Sequence, residues 1–210
     1  MRRLAVWACL ALMWCARAPA QEAGADDLAA GTLLVADEEL KDPPFAQTVI
    51  LLVHYGEEGT VGLIVNRRTK SPLSEVFPRL ANAKNHADPV YEGGPVDETG
   101  VLGLLRSPQD PGDAGLVFAD VYVTTSKSLL GKTVEAQKNP SLFRAYLGYC
   151  GWAPGQLETE TEAGAWHVVD GDVSLVFDGE PQTLWQRLSD RTNLRMARGS
   201  RSSRSLVSRR

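Results

Sequence analysis

The chain has 210 residues, 43% of them hydrophobic, with 22 Lys and Arg against 26 Asp and Glu and only three cysteines. Charge is unevenly placed: residues 21–190 hold 12 Lys or Arg and 26 Asp or Glu, a net of −14, whereas residues 191–210 carry seven arginines and no acid. An acidic body argues against a nucleic-acid surface on the folded part, and a single cysteine beyond residue 20 excludes a disulfide framework there.

The first twenty residues have the pattern of a targeting segment. Arg2 and Arg3 form a basic start, Leu4 to Ala16 an apolar run, and Ala18-Pro19-Ala20 a small-residue site before Gln21. The sequence therefore predicts a signal peptide over residues 1–20, cleaved after Ala20, and a periplasmic or secreted protein. The apolar run is thirteen residues, short of the ~20 that cross a bilayer. Cys9 and Cys15 leave with this segment, so Cys150 stands alone, as a buried inert thiol more often than a reactive one. The remaining length suits one domain over residues 31–190, after a small, polar lead-in over 21–30 that reads as flexible.

In chain order, Thr32 to Ala36 is a short apolar strand, and Asp42-Pro43-Pro44-Phe45 a loop that its prolines hold extended. Thr48 to Tyr55 and Thr60 to Val65 flank Gly56-Glu57-Glu58-Gly59, which predicts an antiparallel hairpin at the centre of a sheet. Ser71-Pro72 has the N-cap and N1 order of a short helix, with Leu73, Val76 and Phe77 on its apolar side and Pro78 limiting it. Ala81 to Asp88 is a polar loop. Pro89 to Glu92 is a strand ending at Gly93-Gly94-Pro95, and Val101 to Leu105 is another. Leu116 to Thr125 alternates as one strand; Ser126 then caps a helix through about Gln137, which Asn139-Pro140 stops. Arg144 to Tyr149 is a strand that breaks at Gly151 and re-enters as a helix at Pro154. Ala165 to Val169 and Val173 to Phe177 predict a second hairpin around Asp170-Gly171-Asp172. Pro181 to Leu188 closes the domain as a helix with Leu184, Trp185 and Leu188 inward. Residues 191–210 are predicted disordered, and their charge suits an anionic surface if they have a partner.

Function is sought where glycine, proline and polar residues interrupt apolar strands. A ligand hollow is predicted between three segments: Asp42, Pro43, Pro44 and Phe45 with Asn66; Gly93, Gly94 and Pro95; and Tyr149, Gly151, Trp152, Pro154, Gly155, Gln156 and Glu158. Gly93-Gly94 offers backbone N–H groups to an anion, although a tight turn explains the pair equally well. The implied partner is an unidentified small molecule or protein. The enzyme alternative is a hydrolase or thiol catalyst using Cys150 or Glu158 with His54 or His167. Set against it, Cys150 is a small core residue and Glu160 and Glu162 a solvated face; Glu158 suits either role. No H-x-H, H-E-x-x-H or paired-cysteine spacing occurs, so no metal or cofactor is expected.

Several of these segments together resemble a known family. Gly31-Thr-Leu-Leu-Val-Ala, Asp42-Pro-Pro-Phe45, Gly59-Thr-Val-Gly-Leu-Ile-Val-Asn66, Tyr91-Glu-Gly-Gly-Pro-Val96 and Gly148-Tyr-Cys-Gly-Trp-Ala-Pro-Gly-Gln-Leu-Glu158, in that order, are similar to the AlgH/YqgE family, as are Val176-Phe-Asp178 and Trp185. The resemblance implies a mixed α/β (α+β) domain, with a bifurcated, largely antiparallel sheet folded into a pseudo-barrel and flanked by helices. It implies no assigned activity, apart from a link of some members to transcriptional regulation, which export would argue against. The chain departs from the pattern at Arg68, where proline usually stands, at Cys150, where alanine is common, and in its leader and arginine-rich tail.

Overall fold

The computed structural model describes residues 27–80, 83, 88–136 and 139–194. The leader, residues 21–26, most of the 81–88 loop with His86, and residues 195–210 lie outside the described residues. Continuous β-branched and aliphatic sequence builds the first layer: β1 (Leu33–Ala36), β2 (Val49–Gly56) and β3 (Gly59–Ile64) pair antiparallel, and Val49 to Val53 are buried. Strand β10 (Trp166–Val169) closes on the outer edge of β1.

The hub of the sheet is β9 (Phe143–Trp152) rather than the β2–β3 hairpin. One edge of β9 pairs with β6 (Val96–Arg106). The other edge is shared. Tyr146 and Leu147 run parallel to β5 (Pro89–Glu92), while Cys150 to Trp152 run antiparallel to β3. β5 in turn pairs with β4 (Arg68–Pro72), and beyond β6 come β8 (Val121–Thr124) and β7 (Gly115–Phe118). This is the mixed α/β, bifurcated, largely antiparallel sheet that the resemblance implies. The sheet is not closed, but it curls like a barrel: Phe118 of β7 lies over Gly31, where a Cβ would meet the Phe118 Cβ at 2.7 Å.

The fork needs bare backbone. Gly93 N donates to Leu147 O at 2.7 Å and Ile64 N donates to Gly93 O at 2.9 Å. A Cβ on Gly94 would sit 2.3 Å from the Tyr149 carbonyl carbon, and one on Gly148 would sit 2.3 Å from Gly94 O. Both also hold positive φ, 153° and 69°, where L side chains are strained.

Helices differ from expectation in instructive places. Ser71-Pro72 ends β4 instead of opening a helix; the single turn α1 (Leu73–Val76) has no side-chain cap, and Leu73 N is satisfied by Asp88 O. The stretch 116–125 is not one strand. It turns at Ala119 (φ 47°) and Asp120, whose carboxylate is held by Arg106 at 2.7 Å. The Ser126-capped helix is α2 (Lys127–Glu135), with Ser126 Oγ accepting from Leu129 N. Strand β9 continues through Gly151, and α3 (Gln156–Glu162) begins two residues after Pro154, behind Gly155. Val173 to Val176 is helix α4, not the return strand of a hairpin. Asp172 caps it by accepting from Ser174 N at 2.7 Å, a local bond that competes with strand pairing. After a 3₁₀ turn (Pro181–Thr183), α5 spans residues 184–194, so it extends four residues into the segment expected to be disordered. Leu28, in the expected flexible lead-in, is buried in the core.

Two apolar clusters result. The larger joins β1–β3, β9 and α5; the smaller lies under α1 and α2, around Leu73, Leu105, Leu130 and Phe143. Among the described residues no helix is long and apolar enough to cross a membrane.

Candidate functional site

The three segments expected around one hollow do meet, but largely by bonding to one another. Asn66 is 5% exposed; its Oδ1 accepts from Val49 N at 2.8 Å and its Nδ2 donates to Gln47 O at 3.0 Å. Arg67 donates to Pro44 O at 2.8 Å, to Ala46 O at 2.9 Å and to Glu92 Oε1 at 3.1 Å. The Asp42–Phe45 loop is thereby latched to the end of β5. Phe45 packs edge-on to Trp166 at 5.9 Å, and Trp152 packs edge-on to the same ring at 6.2 Å. Gly93 and Gly94 press against Gly148, Tyr149 and Cys150 at the fork. Pro95, Pro154 and Gly155 are exposed. Gln156 turns back on its own block, its Oε1 accepting from Ala153 N at 3.1 Å.

One residue that spacing assigns to a solvated face proves central. Glu160 Oε2 accepts from the indole N–H groups of Trp152 and Trp166, each at 2.9 Å, and its Oε1 accepts from Gln156 Nε2 at 2.9 Å. A signal for this exists in the sequence: two tryptophans, each carrying an N–H that needs a partner when buried, lie eight residues before and six after one glutamate. Glu158 instead faces β2 and accepts from Tyr55 Oη at 2.6 Å. That hydrogen bond, helped by desolvation, raises the Tyr55 pKa.

The nucleophile constellation does not assemble. Cys150 is fully buried, and burial pushes its thiol pKa up to about 12, with Arg67 only partly opposing. Its Sγ donates to Gly93 O at 3.5 Å. His167 Nε2 is engaged by Asp37 at 2.9 Å, and His54 is exposed on β2. Among the described residues no group of three or more His, Cys, Asp or Glu is placed to hold a metal. Buried Arg144 lies 4.7 Å over the Tyr91 ring and donates to Val176 O at 2.8 Å, which pins the end of α4 to β9.

The open space is elsewhere. A cavity of about 880 Å³ lies where the two apolar clusters part, between α2, the segment after α1, and β6. Strand β6 makes room for it by bulging. Val96 pairs with Tyr149 and Val101 with Leu147, so five residues of β6 advance against two of β9. Asp97 (φ 48°) sits in the bulge and accepts from Thr99 Oγ1 at 3.2 Å. Val61, Leu102, Leu130 and Phe77 give the cavity its apolar lining. Arg79 and Lys127 stand exposed at it, and neither makes a hydrogen bond or ion pair among the described residues. Of the residues predicted for a ligand, Tyr149 lines this cavity; Gly151 and Trp152 line a hollow of about 270 Å³ beside His54. Asp97-Glu98-Thr99-Gly100 is the sequence signal that could have pointed here, since turn-forming residues interrupt an apolar strand.

Architecture and site together define a mixed α/β domain on a forked antiparallel sheet, tied together by its loop motifs and carrying a mainly apolar cavity to one side. The chain belongs to the AlgH-like family, whose model matches residues 33–197. A UPF0301 protein of Streptomyces avermitilis is 33% identical over 174 residues, covering 80% of this chain and 88% of that protein. One from Streptomyces coelicolor is 35% identical over 168 residues, covering 75% and 83%. The solution structure of the AlgH protein from Pseudomonas aeruginosa is similar with a TM-score of 0.63 and 32% identity, covering 78% of this chain and 87% of that one. A crystal structure from Corynebacterium diphtheriae gives 0.65 at 26% identity with the same coverage. The names of these relatives carry no biochemical activity.

Proposed function

We propose that the chain is an exported ligand-binding accessory module whose ligand occupies the cavity between α2 and the β6 bulge. The observation that carries this reading is the cavity itself. Its volume of about 880 Å³ lies within the ~300–1,000 Å³ of small-molecule sites, and an apolar lining with few polar groups is their usual chemistry. The Gly-, Pro- and Trp-rich loops support it indirectly, because their polar groups already have partners inside the protein. A thiol hydrolase finds no support, since the buried, protonated Cys150 lacks a base. The net charge of −14 over residues 21–190 favours a small molecule or a protein over nucleic acid. Export rests on the leader, and in the same reading the arginine-rich tail meets an anionic surface.

Gly131 of α2 provides the test. A Cβ there would touch only Leu80, at 3.9 Å or more, and leucine is the better helix former by roughly 0.8 kcal/mol. Gly131→Leu should therefore narrow the cavity from its α2 side without unfolding the domain. The neutral probe N-phenyl-1-naphthylamine should brighten with the native protein and clearly less with this variant, at an equal or higher Tm. Equal brightening with both removes the cavity as the site. For export, N-terminal sequencing of protein from the periplasmic or culture fraction should begin at Gln21; an intact Met1 chain confined to the cytoplasm refutes it.

A further inference from the structure

We infer that this cavity takes a linear anionic amphiphile: an unbranched alkyl chain of fatty-acid type whose carboxylate head pairs with Arg79 and Lys127. The inference rests on the cavity reading above and adds the chemistry of the occupant. Three observations support it.

The first is the lining. Val61, Leu102, Leu130 and Phe77 present hydrocarbon, which binds whatever apolar surface it takes from water.

The second is charge. Arg79 and Lys127 stand at the cavity without a protein partner among the described residues, on a body that is otherwise strongly acidic. Asp97 also lines the cavity and keeps its charge while accepting from the Thr99 hydroxyl, so the lining carries two cations against one acid. Both cations line the cavity, and either suits a carboxylate, which the guanidinium fork binds in two-pronged fashion. A cationic amphiphile would be repelled there, and a neutral one would leave both cations unused.

The third is shape. A second hollow, of about 390 Å³, shares Val61, Leu102 and Thr125 with the main cavity and runs on toward His54. Neighbouring hollows with a common wall give a chain room to lengthen that a compact ring would not use.

The experiment is calorimetric titration of the full chain with octanoate, decanoate and dodecanoate, each below its micelle concentration. Alcohols of matching length and decyltrimethylammonium serve as controls. Carboxylate affinity should rise about tenfold for every two methylenes until the space is filled. Each carboxylate should bind at least tenfold tighter than its alcohol, and the quaternary ammonium weakest of all. The double variant Arg79→Gln/Lys127→Gln alters two exposed side chains, so it should fold normally; it should lower carboxylate affinity to that of the alcohol and leave alcohol binding unchanged. Gly131→Leu should weaken both.

If alcohols match carboxylates while Gly131→Leu still weakens both, the anionic head is wrong and the cavity reading stands. Affinity that does not change with chain length overturns the linear chain. If no chain binds and the neutral probe also ignores Gly131→Leu, the cavity reading falls and takes this inference with it.

Discussion

Glu160 is a carboxylate doing the work of a scaffold. Its two oxygens take three donors, two of them indole N–H groups of Trp152 and Trp166, rings that are 6% and 4% exposed. An unpaired buried donor costs ~1–3 kcal/mol. Glu160→Ala should therefore lower stability by about 2–4 kcal/mol in a denaturant titration, while Glu160→Gln, which keeps an acceptor oxygen, should lose less than half as much. A neutral Glu160→Ala would show that the indoles do not depend on it. Cys150 is the complementary case, a reactive residue type made inert by its surroundings. With its pKa pushed up to about 12 by burial, the thiol should resist Ellman's reagent at pH 8 in the native state and react at once in guanidinium. Folding raises this pKa, so the associated stability is complete below an ordinary thiol value of about 8.5 and is lost progressively as pH climbs toward the folded one. Spacing leaves the role of Glu158 open and puts Glu160 on a solvated face; only the fold aims the first at Tyr55 and the second at two tryptophans.

At the level of elements, local signals and long-range pairing compete, and α4 shows the outcome. Val-Ser-Leu-Val-Phe reads as a strand by composition, yet Asp172 accepts from the N–H and the hydroxyl of Ser174 and starts a helical turn. Those bonds, the Ser174 hydroxyl first, hold the Asp172 carboxyl below the usual carboxylate range. Because folding lowers the pKa, the contribution is present above the unfolded value of about 3.9 and disappears as pH falls through the folded one. Asp172→Ala should cost about 1 kcal/mol at pH 7, as an N-cap does. The gap between variant and parent should close as pH drops below about 4; a gap constant from pH 7 to pH 2 would mean the charge is irrelevant. The β2–β3 hairpin, the Ser126 cap and strand β5 were legible because each is written in adjacent residues. The fork at β9 was not, since β5 and β3 reach the same edge from opposite directions through pairings 55 to 92 residues apart. Nor was the cavity, which depends on a bulge in β6 meeting α2, elements that pattern alone cannot set side by side.

Over the whole molecule, the charge is split between an acidic body and a basic end. Helix α5 docks through Leu184, Trp185 and Leu188, and Trp185 Nε1 donates to Ala36 O at 2.8 Å. The described helix ends at residue 194, and six of the seven arginines of the last twenty residues lie beyond it. A cut after Leu194 thus removes six of the seven positive charges of the basic end and none of the described packing. Near an anionic leaflet each such residue contributes roughly 1 kcal/mol, an attraction that decays over a Debye length of about 8 Å at physiological salt. The truncated chain should keep its Tm and its binding of N-phenyl-1-naphthylamine, and should stop sedimenting with vesicles rich in phosphatidylglycerol. The full chain should sediment at low salt and come off as salt rises. Because Arg79 and Lys127 are also exposed cations, the Arg79→Gln/Lys127→Gln variant is the needed control: it should sediment like the parent. Vesicle binding that survives truncation but fails in that variant would move the membrane-facing surface from the tail to the cavity mouth.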